Sequence, residues 1–198
     1  MRIAGLVLAA GRSSRMAPRN KLLEPVGGEK MVRRVAAVAI AGGAEPVIVV
    51  TGHEAQAVAA VLSGLTVTTV ANPDYADGLS TSLRAGLSAL PYGIDGALIL
   101  LGDMPEIETS VLGALMAAFT GRSAICVPVR HGRRGNPVLW GSSYFAEMMQ
   151  LSGDSGAKPL MARHEAHLVE VSVATDSIFE DVDAPEDLAR VRRLGATS

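Results

Sequence analysis

Five short apolar runs, separated by longer stretches with helical spacing, constrain the fold of this chain more than any other feature. The run at 97–101 reads ALILL and carries no polar residue on either face of the strand that it would form. A strand that is apolar on both faces is covered by helices on both sides, which is typical of a parallel sheet. The five runs lie at 3–8, 46–51, 65–70, 97–101 and 124–127.

Between these runs, apolar residues recur at the three- and four-residue spacing of an amphipathic helix. The alternation is a βαβ rhythm, which predicts an α/β fold with a doubly wound, mostly parallel sheet. Ligands of such sheets bind beyond the carboxyl ends of the strands. We therefore expect the loops at 9–20, 51–53, 72–82 and 102–106 to line one crevice.

After residue 127 the rhythm changes, because a basic segment at 128–135 precedes a further strand-like run at 137–140. This pattern predicts a small β-excursion near 128–140. Two short helices over 142–151 and 155–164 are expected next, and then strands near 168–171 and 178–182. A final helix should begin around Pro185, since proline suits the first helical turn.

Length and charge restrict the classes of partner. The 198 residues fit one α/β domain spanning 1–198, and no linker-like stretch divides them. A formal net charge of −2 argues against a nucleic-acid partner. No apolar run reaches the roughly 18 residues of a membrane span, and Met1 leads into a predicted strand rather than a signal peptide. The expectation is a cytoplasmic protein without membrane contact.

The segment 6–21, LVLAAGRSSRMAPRNK, joins the first strand to a small-residue turn that is followed by cations and hydroxyls. The small residues Ala9, Ala10 and Gly11 let backbone N–H groups approach a polyphosphate, while Arg15 and Lys21 supply charge. A basic, solvated loop is the alternative interpretation. The segment contains neither the P-loop pattern nor the GxGxxG dinucleotide pattern.

A carboxylate and a hydroxyl-rich junction follow two later predicted strands. Asp103 comes directly after the run at 97–101 and Gly102, where a magnesium ion bound to phosphates would find a ligand. A turn or helix-capping role explains Asp103 equally well. The junction at 77–84 can contact a base or ribose through its hydroxyls and amides, or act as a plain helix cap.

Taken together, these motifs resemble the MobA-like nucleotidyltransferases. Gly11, Arg15 and Lys21 repeat the family's AAGxSxRMxxxNK pattern, and GDMP at 102–105, GDSGA at 153–157 and DVDAPED at 181–187 match as well. The phrase GLSTSLRAGL at 78–87 is similar to the cytidylyl-transferring branch that handles molybdenum cofactor. Ala10 points to the same branch, because guanylyl-transferring relatives tend to read LAGG in the first loop.

The resemblance implies a Rossmann-like nucleotidyltransferase fold and a set of site residues. Arg15, Lys21 and Asp103 are the implied catalytic residues. Asp103 and Asp183 are the implied ligands of Mg²⁺ or Mn²⁺, with Asp181 close enough to compete with Asp183. The implied nucleotide site, mainly within 1–110, comprises Leu8, Ala9, Ala10, Gly11, Arg12, Ser13, Arg15, Lys21, Asn72, Gly78, Ser80 and Ser82. The implied acceptor site, mainly within 128–170, comprises Arg133, Arg134, Gly135, Asn136, Pro137, Asp154 and Lys158.

Two positions depart from the family pattern. Asn136 stands where a histidine of a GHP sequence is common, although an asparagine still donates to a phosphate or pterin acceptor. Lys158 replaces the arginine of GDxGAR, so a point charge takes the place of a bidentate contact.

The implied reaction transfers CMP from CTP to the terminal phosphate of a molybdopterin-type acceptor and releases pyrophosphate. The product would pass in a transient contact to a molybdoenzyme. One alternative transfers GMP or uses another phosphate acceptor, and a second is a non-catalytic carrier of molybdenum cofactor. An NAD-binding oxidoreductase is a third alternative, which the missing GxGxxG pattern disfavours.

Overall fold

The structure is a computed structural model and describes residues 1–154 and 156–194. Its strands are β1 (Ile3–Ala9), β2 (Pro25–Val26), β3 (Glu29–Lys30), β4 (Val47–Thr51), β5 (Thr68–Ala71), β6 (Gly96–Leu101), β7 (Ile125–Arg130), β8 (Arg133–Arg134), β9 (Val138–Gly141) and β10 (Leu168–Ser172). Its α-helices are α1 (Met31–Ala41), α2 (Ala55–Val61), α3 (Leu79–Ser88), α4 (Thr109–Ala118), α5 (Phe145–Met148), α6 (Lys158–Arg163) and α7 (Pro185–Leu194).

The main sheet has the strand order β10-β7-β9-β6-β1-β4-β5, and β8 pairs with β7 at its margin. Strand β1 pairs in parallel with both β4 and β6. Strand β9 is antiparallel to its neighbours β6 and β7. The sheet is therefore mostly parallel and doubly wound, and β8 with β9 forms the predicted β-excursion.

Alternate residues of β1 enter two different hydrophobic cores, one on each face of the sheet. Val7 and Ala9 pack in the core formed with α1 and α4, whereas Leu6 and Leu8 pack in the core formed with α3, α5 and α6. All four residues are buried. This explains the absence of polar alternation in the central strands, because both faces are covered.

A third, smaller core attaches α7 to the rest of the molecule. Val182, Leu188 and Val191 are buried against Met16 and Met31. The Val182 N–H also donates to the Asp103 backbone oxygen at 2.9 Å. The segment that precedes α7 is thereby brought beside the loop that follows β6, although the two are far apart in the chain.

The predicted strand at 178–182 is wrong, because its first residues form a 3₁₀ turn at Ser177–Phe179. The Ile178 oxygen accepts from the Asn136 N–H at 2.9 Å, and the Ile178 side chain is buried in the core. This contact between two loops holds the turn, so no strand partner is required.

The helices after β9 are shorter than predicted. The segment at 142–151 contains the 3₁₀ turn Ser142–Tyr144 and the four-residue helix α5, and the next helix begins at Lys158. Gly153 and Gly156 adopt positive φ angles of 75° and 54°, which a continuous helix does not accommodate. Ser155, the predicted start of that helix, lies outside the described residues. The final helix begins at Pro185, as predicted.

The described helices are short, and the longest, α1, has 11 residues. Within the described ranges, none has the length and apolar character required to cross a lipid bilayer.

Candidate active site

The carboxyl ends of β1 and β6 meet where the strand order reverses, which is the usual ligand position in an open α/β sheet. The loops that follow these two strands line a cavity of about 480 Å³. The Gly102 N–H donates to the Leu8 oxygen at 2.9 Å. A Cβ atom at position 102 would lie 3.0 Å from that oxygen, so a glycine allows the two strand ends to approach closely.

Two buried polar side chains brace the loop after β1. The Ser13 hydroxyl donates to Asn20 Oδ1 at 3.2 Å and accepts from the Lys21 N–H at 3.1 Å. Asn20 Oδ1 also accepts from the Leu22 N–H at 3.1 Å. These bonds fix the backbone of Lys21 relative to the loop. The sequence interpretation left Asn20 out of the site, although an asparagine that precedes a short helical turn is a recognisable capping signal.

Lys21 lies at the centre of a charged cluster inside the cavity. Its Nζ atom donates to Asp103 Oδ2 and to Asp183 Oδ1, each at 2.7 Å. The Arg15 guanidinium donates to Asp183 Oδ2, also at 2.7 Å. The Lys21 side chain is only 12% exposed, whereas that of Arg15 is 73% exposed. Solvent therefore screens the Arg15 pair much more strongly than the Lys21 pairs.

Burial and charge act in opposite directions on these groups. Burial disfavours the Lys21 ammonium ion, but the two carboxylates outweigh this effect and raise the pKa of Lys21. Burial raises the pKa of Asp103, against the opposing charge of Lys21. The hydrogen bond from Lys21 lowers the pKa of Asp183. At neutral pH, Lys21 is thus a stable cation beside an ionised Asp183.

The two aspartates form a donor set that suits a hard divalent cation. Asp103 Oδ1 is buried and has no hydrogen-bond partner among the described residues. Mg²⁺ is commonly held by one or two carboxylates, together with phosphate oxygens and water. Over the described ranges, no group of three or more His, Cys, Asp or Glu side chains is arranged to hold a metal ion. Of the two competing aspartates, Asp183 is the one in contact with Lys21, whereas Asp181 lines a different cavity.

A loop from the later part of the chain caps the N-terminus of α3. The Leu79 N–H donates to Asp154 Oδ1 at 3.2 Å, and the Ser80 N–H donates to the Gly153 oxygen at 3.1 Å. Gly78 has a φ angle of 108°, and a Cβ atom there would lie 2.6 Å from the Gly153 carbonyl carbon. Position 78 therefore requires glycine for two separate reasons. Asp154, expected in the acceptor site, also lines the first cavity.

Three of the expected nucleotide residues lie behind the cavity rather than on its surface. The Asn72 amide donates to Thr81 Oγ1 at 2.8 Å and to Ser82 Oγ at 3.0 Å, and its oxygen accepts from the Asp74 N–H. Ser80 is fully buried, and Ala9 is almost so. The remaining expected nucleotide residues line the cavity: Leu8, Ala10, Gly11, Arg12, Ser13, Arg15, Lys21, Gly78 and Ser82.

A second cavity of about 420 Å³ adjoins the first, and Leu8, Leu79, Leu101 and Asp154 line both. Its lining includes six of the seven expected acceptor residues: Arg133, Arg134, Gly135, Asn136, Asp154 and Lys158. The seventh, Pro137, is buried and does not line the cavity.

The cations of the second cavity differ in their availability to a ligand. Arg134 pairs with Glu165 at 2.6 Å and with Glu170 at 2.7 Å, and these bonds raise its pKa. The Arg133 guanidinium lies 4.6 Å from the centre of the Phe179 ring, within range of a cation–π contact. Lys158 makes no ion pair with any residue that the structure describes. Arg133 and Lys158 are therefore freer than Arg134 to bind an anion.

The sequence interpretation did not name several residues that line the two cavities. Tyr75 lines the first cavity and packs against Gly52, where a Cβ atom would lie 2.6 Å from that of Tyr75. The loop at 51–53, expected in the crevice, thus supports Tyr75 from behind and does not line the cavity. The feature of the sequence that could have identified Tyr75 as a site residue is an aromatic side chain in the loop after β5. Ser14, Ala76 and Leu79 also line the first cavity; they were not named singly, although they belong to the loops at 9–20 and 72–82 that were expected in the crevice. Trp140, Met161 and Phe179 in the second cavity were not anticipated, and Asp181, expected as a competing metal ligand, lines that cavity instead.

The fold and this site together define a nucleotidyltransferase. A mostly parallel sheet carries at its switch point a small-residue loop, a buried lysine and two carboxylates, which is an arrangement that can hold a polyphosphate and a hard cation. Residues 5–168 match the MobA-like NTP transferase domain, and the chain belongs to this family.

Several known proteins are similar to the chain over almost its full length. It is 31% identical over 198 residues to nicotine blue oxidoreductase from Paenarthrobacter nicotinovorans, and 30% identical over 204 residues to the purine catabolism protein PucB from Bacillus subtilis. Each match covers 96% of both chains. A nucleotidyl transferase from Methanothermobacter superposes with a TM-score of 0.87 at 28% identity, over 99% of this chain and 98% of the other.

A further solved structure bears on the metal. The Mycobacterium tuberculosis protein Rv0371c, in complex with manganese, superposes with a TM-score of 0.76 at 27% identity. The superposition covers 98% of this chain and 99% of the other. A homologue of this chain thus binds a divalent cation of the kind that the Asp103 and Asp183 carboxylates suit.

Proposed function

We propose that the protein transfers CMP from CTP to the terminal phosphate of a molybdopterin-type acceptor, with Mg²⁺ or Mn²⁺ bound by Asp103 and Asp183. The observation that carries the proposal is the contact between the two cavities. The charged cluster lies in the first, the Arg133–Asn136 segment lies in the second, and four residues line both. A nucleotide and an acceptor seated in these cavities would meet at their common boundary.

The nucleotide side rests mainly on residues within 1–110. The loop from Ala10 to Ser13 offers backbone N–H groups to the triphosphate, and Arg15 and Lys21 neutralise its charge. Gly78 and Ser82 face the base and ribose. We assign Asn72 and Ser80 a supporting role here, because Asn72 orients Ser82 through a 3.0 Å hydrogen bond and Ser80 is buried beneath the cavity.

The acceptor side rests mainly on residues within 128–170. Arg133 and Lys158 attract the acceptor's phosphate, Asn136 donates to it or to the pterin, and Met161 and Phe179 provide apolar surface for a flat ring. Arg134 acts through its ion pairs, which hold β8 to β10. Asp154 joins the two sides, because it caps α3 and lines both cavities.

The reaction needs no general base, since the attacking phosphate is already an anion. A phosphate oxygen of the acceptor bonds to the α-phosphorus of CTP, the bond from that phosphorus to the bridging oxygen breaks, and pyrophosphate leaves. Lys21 and Arg15 reduce the repulsion between the two phosphate groups and stabilise the departing charge. The metal ion supplies further charge neutralisation at the phosphates.

The same site could serve other functions, and experiments can distinguish these from CMP transfer. The relatives named above include an oxidoreductase and a protein of purine catabolism, so neither the reaction type nor the acceptor follows from similarity alone. GMP transfer, another phosphate acceptor and a non-catalytic cofactor carrier would each use some of the same residues. The carrier alternative accounts poorly for the two carboxylates beside Lys21, because a carrier needs no cation at the triphosphate.

The decisive experiment incubates the protein with molybdopterin cofactor and each of the four labelled nucleoside triphosphates, and detects the products by mass spectrometry. We expect cytosine dinucleotide and an equal amount of pyrophosphate with CTP. The Asp103→Asn variant serves as the catalytically impaired control. A guanine product, pyrophosphate without dinucleotide, or tight cofactor binding without turnover would each replace the proposal by the corresponding alternative.

A further inference from the structure

The ammonium group of Lys21 lies between the two carboxylates that are the proposed metal ligands. Its Nζ atom is 2.7 Å from one oxygen of Asp103 and 2.7 Å from one oxygen of Asp183. These aspartates are far apart in the sequence: Asp103 follows β6, and Asp183 precedes α7. Both converge on a single cation that belongs to the protein itself.

We propose that Lys21 competes with the divalent cation for this position, so that the metal is held tightly only after a nucleotide has drawn the ammonium group away. The inference rests on the proposed function. A Mg²⁺ ion requires oxygen ligands at about 2.0–2.1 Å. It would be held by the same two carboxyl groups that bind Lys21, and two cations so close together repel each other strongly in a partly buried site.

The surrounding structure limits how Lys21 can move. Ser13 Oγ holds the Lys21 N–H at 3.1 Å, so the backbone stays in place and only side-chain rotations release the ammonium group. A triphosphate in the first cavity would offer the Lys21 ammonium group several negative charges in place of the two aspartates. Asp103 Oδ1, buried without a partner among the described residues, is independent evidence that Lys21 alone does not satisfy this carboxylate.

This arrangement couples the two ligands. Because nucleotide binding removes a competitor from the metal position, each ligand should raise the affinity for the other, and linkage requires the two effects to be equal. Coupling energies of this type usually change affinity by about 5- to 150-fold.

Arg15 offers a matched control for charge alone. Like Lys21, it contributes one positive charge and contacts Asp183 at 2.7 Å. It is largely exposed, however, and binds Asp183 Oδ2, the oxygen that Lys21 does not contact, without reaching Asp103 among its described contacts. Removing either side chain changes the net charge equally, but only Lys21 bridges the two carboxylates.

The test measures Mn²⁺ binding to the nucleotide-free protein, with free Mn²⁺ quantified by electron paramagnetic resonance. We expect Lys21→Met to bind Mn²⁺ about tenfold or more tightly than the unmodified protein. Arg15→Met should gain much less, and Lys21→Arg, which keeps a cation between the aspartates, should stay weak. Circular dichroism checks that each variant folds, and Lys21→Gln takes the place of Lys21→Met if the latter does not.

Three results would overturn the proposal. Equal gains in Lys21→Met and Arg15→Met would show that charge alone, rather than occupation of the position, controls the metal. Binding by the unmodified protein as tight as by Lys21→Met would show that Lys21 does not compete. Absence of measurable binding in all variants would show that Lys21 is not what keeps the metal from the nucleotide-free protein. The measurement contains no nucleotide and no acceptor, so an error in the proposed substrates cannot produce these results.

Discussion

At the scale of single residues, the electrostatics of the first cavity depend on how far each charged side chain is buried. Arg15 and Lys21 both contact Asp183, but the Arg15 side chain is 73% exposed and the Lys21 side chain only 12%. The Lys21 contacts are therefore much less screened by water and salt than the Arg15 contact. Asp103 combines a buried, unpartnered oxygen with one bonded to Lys21, which makes it the residue least replaceable by a neutral analogue.

Asp103→Asn should reduce turnover by about two orders of magnitude or more, because it removes a main electrostatic contact of the reaction while keeping the size of the side chain. Steady-state pyrophosphate release with CTP and acceptor measures the loss, and the thermal midpoint checks the fold. Asp183→Asn should be more damaging than Asp181→Asn, since Asp183 contacts Lys21 and Asp181 lines the other cavity. Unchanged turnover of Asp103→Asn at limiting Mg²⁺ would contradict the assignment.

Ala10→Gly should raise activity with GTP more than with CTP. Ala10 lines the first cavity, so removal of its methyl group would give a larger base more room. A single methyl group contributes about 1–3 kcal/mol of discrimination and cannot complete a change of base by itself. Competition assays with both nucleotides give the ratio of kcat/KM values. An unchanged ratio would disprove the volume argument.

At the scale of elements, the contact between α3 and the loop at 153–154 ties the two cavities together. The first two backbone N–H groups of helix α3 donate to Asp154 and to Gly153. Arg84 on the same helix donates to the Leu151 oxygen. The two cavities therefore share one structural support. A change at this contact should affect both cavities.

Gly78→Ala should destabilise the protein by more than the roughly 1–3 kcal/mol expected for an unfavourable φ angle alone. The added Cβ would also overlap the Gly153 backbone at 2.6 Å. Gly64→Ala is the matched control, since Gly64 has a φ angle of 83° in open space. Chemical denaturation compares the two free energies of unfolding. Equal losses would indicate that the loop at 153–154 moves aside without cost.

At the scale of the whole molecule, stability depends on contacts that join distant segments around the sheet. Asp95 accepts from the Arg2 N–H at 2.9 Å and from Arg122 Nε at 2.8 Å, just before β6 begins. It thereby links the start of the chain to the segment between α4 and β7. The hydrogen bond from the Arg2 backbone, followed by that from Arg122, lowers the pKa of Asp95 below its usual value of 3.8.

Asp95→Asn should lower the thermal midpoint at neutral pH, and the difference from the unmodified protein should shrink in acid. A carboxyl group whose pKa is lower in the folded state stabilises the fold above its unfolded pKa, and this contribution disappears as the pH falls through the folded pKa. Thermal melts between neutral pH and about pH 3 measure the effect. A difference that stays constant over this range would show that the Asp95 charge does not contribute.

The sequence by itself determined the class of fold and the identity of most residues that line the first cavity. Apolar runs without polar alternation require helices on both faces of the sheet, and small residues after β1 permit a close approach to a polyphosphate. These are local properties of chain geometry and burial. They are readable in the sequence because each depends on neighbouring residues alone.

Only the tertiary structure decided which aspartate meets Lys21, because the choice between Asp181 and Asp183 depends on how α7 docks against the third core. The tertiary structure also places Asn72 behind the cavity, because its amide donates to Thr81 and Ser82 on helix α3. The turn at Ser177–Phe179 replaced a predicted strand for the same reason, a hydrogen bond between Asn136 and Ile178. Contacts between residues distant in the chain decide such features, and the spacing of residues along the sequence does not encode them.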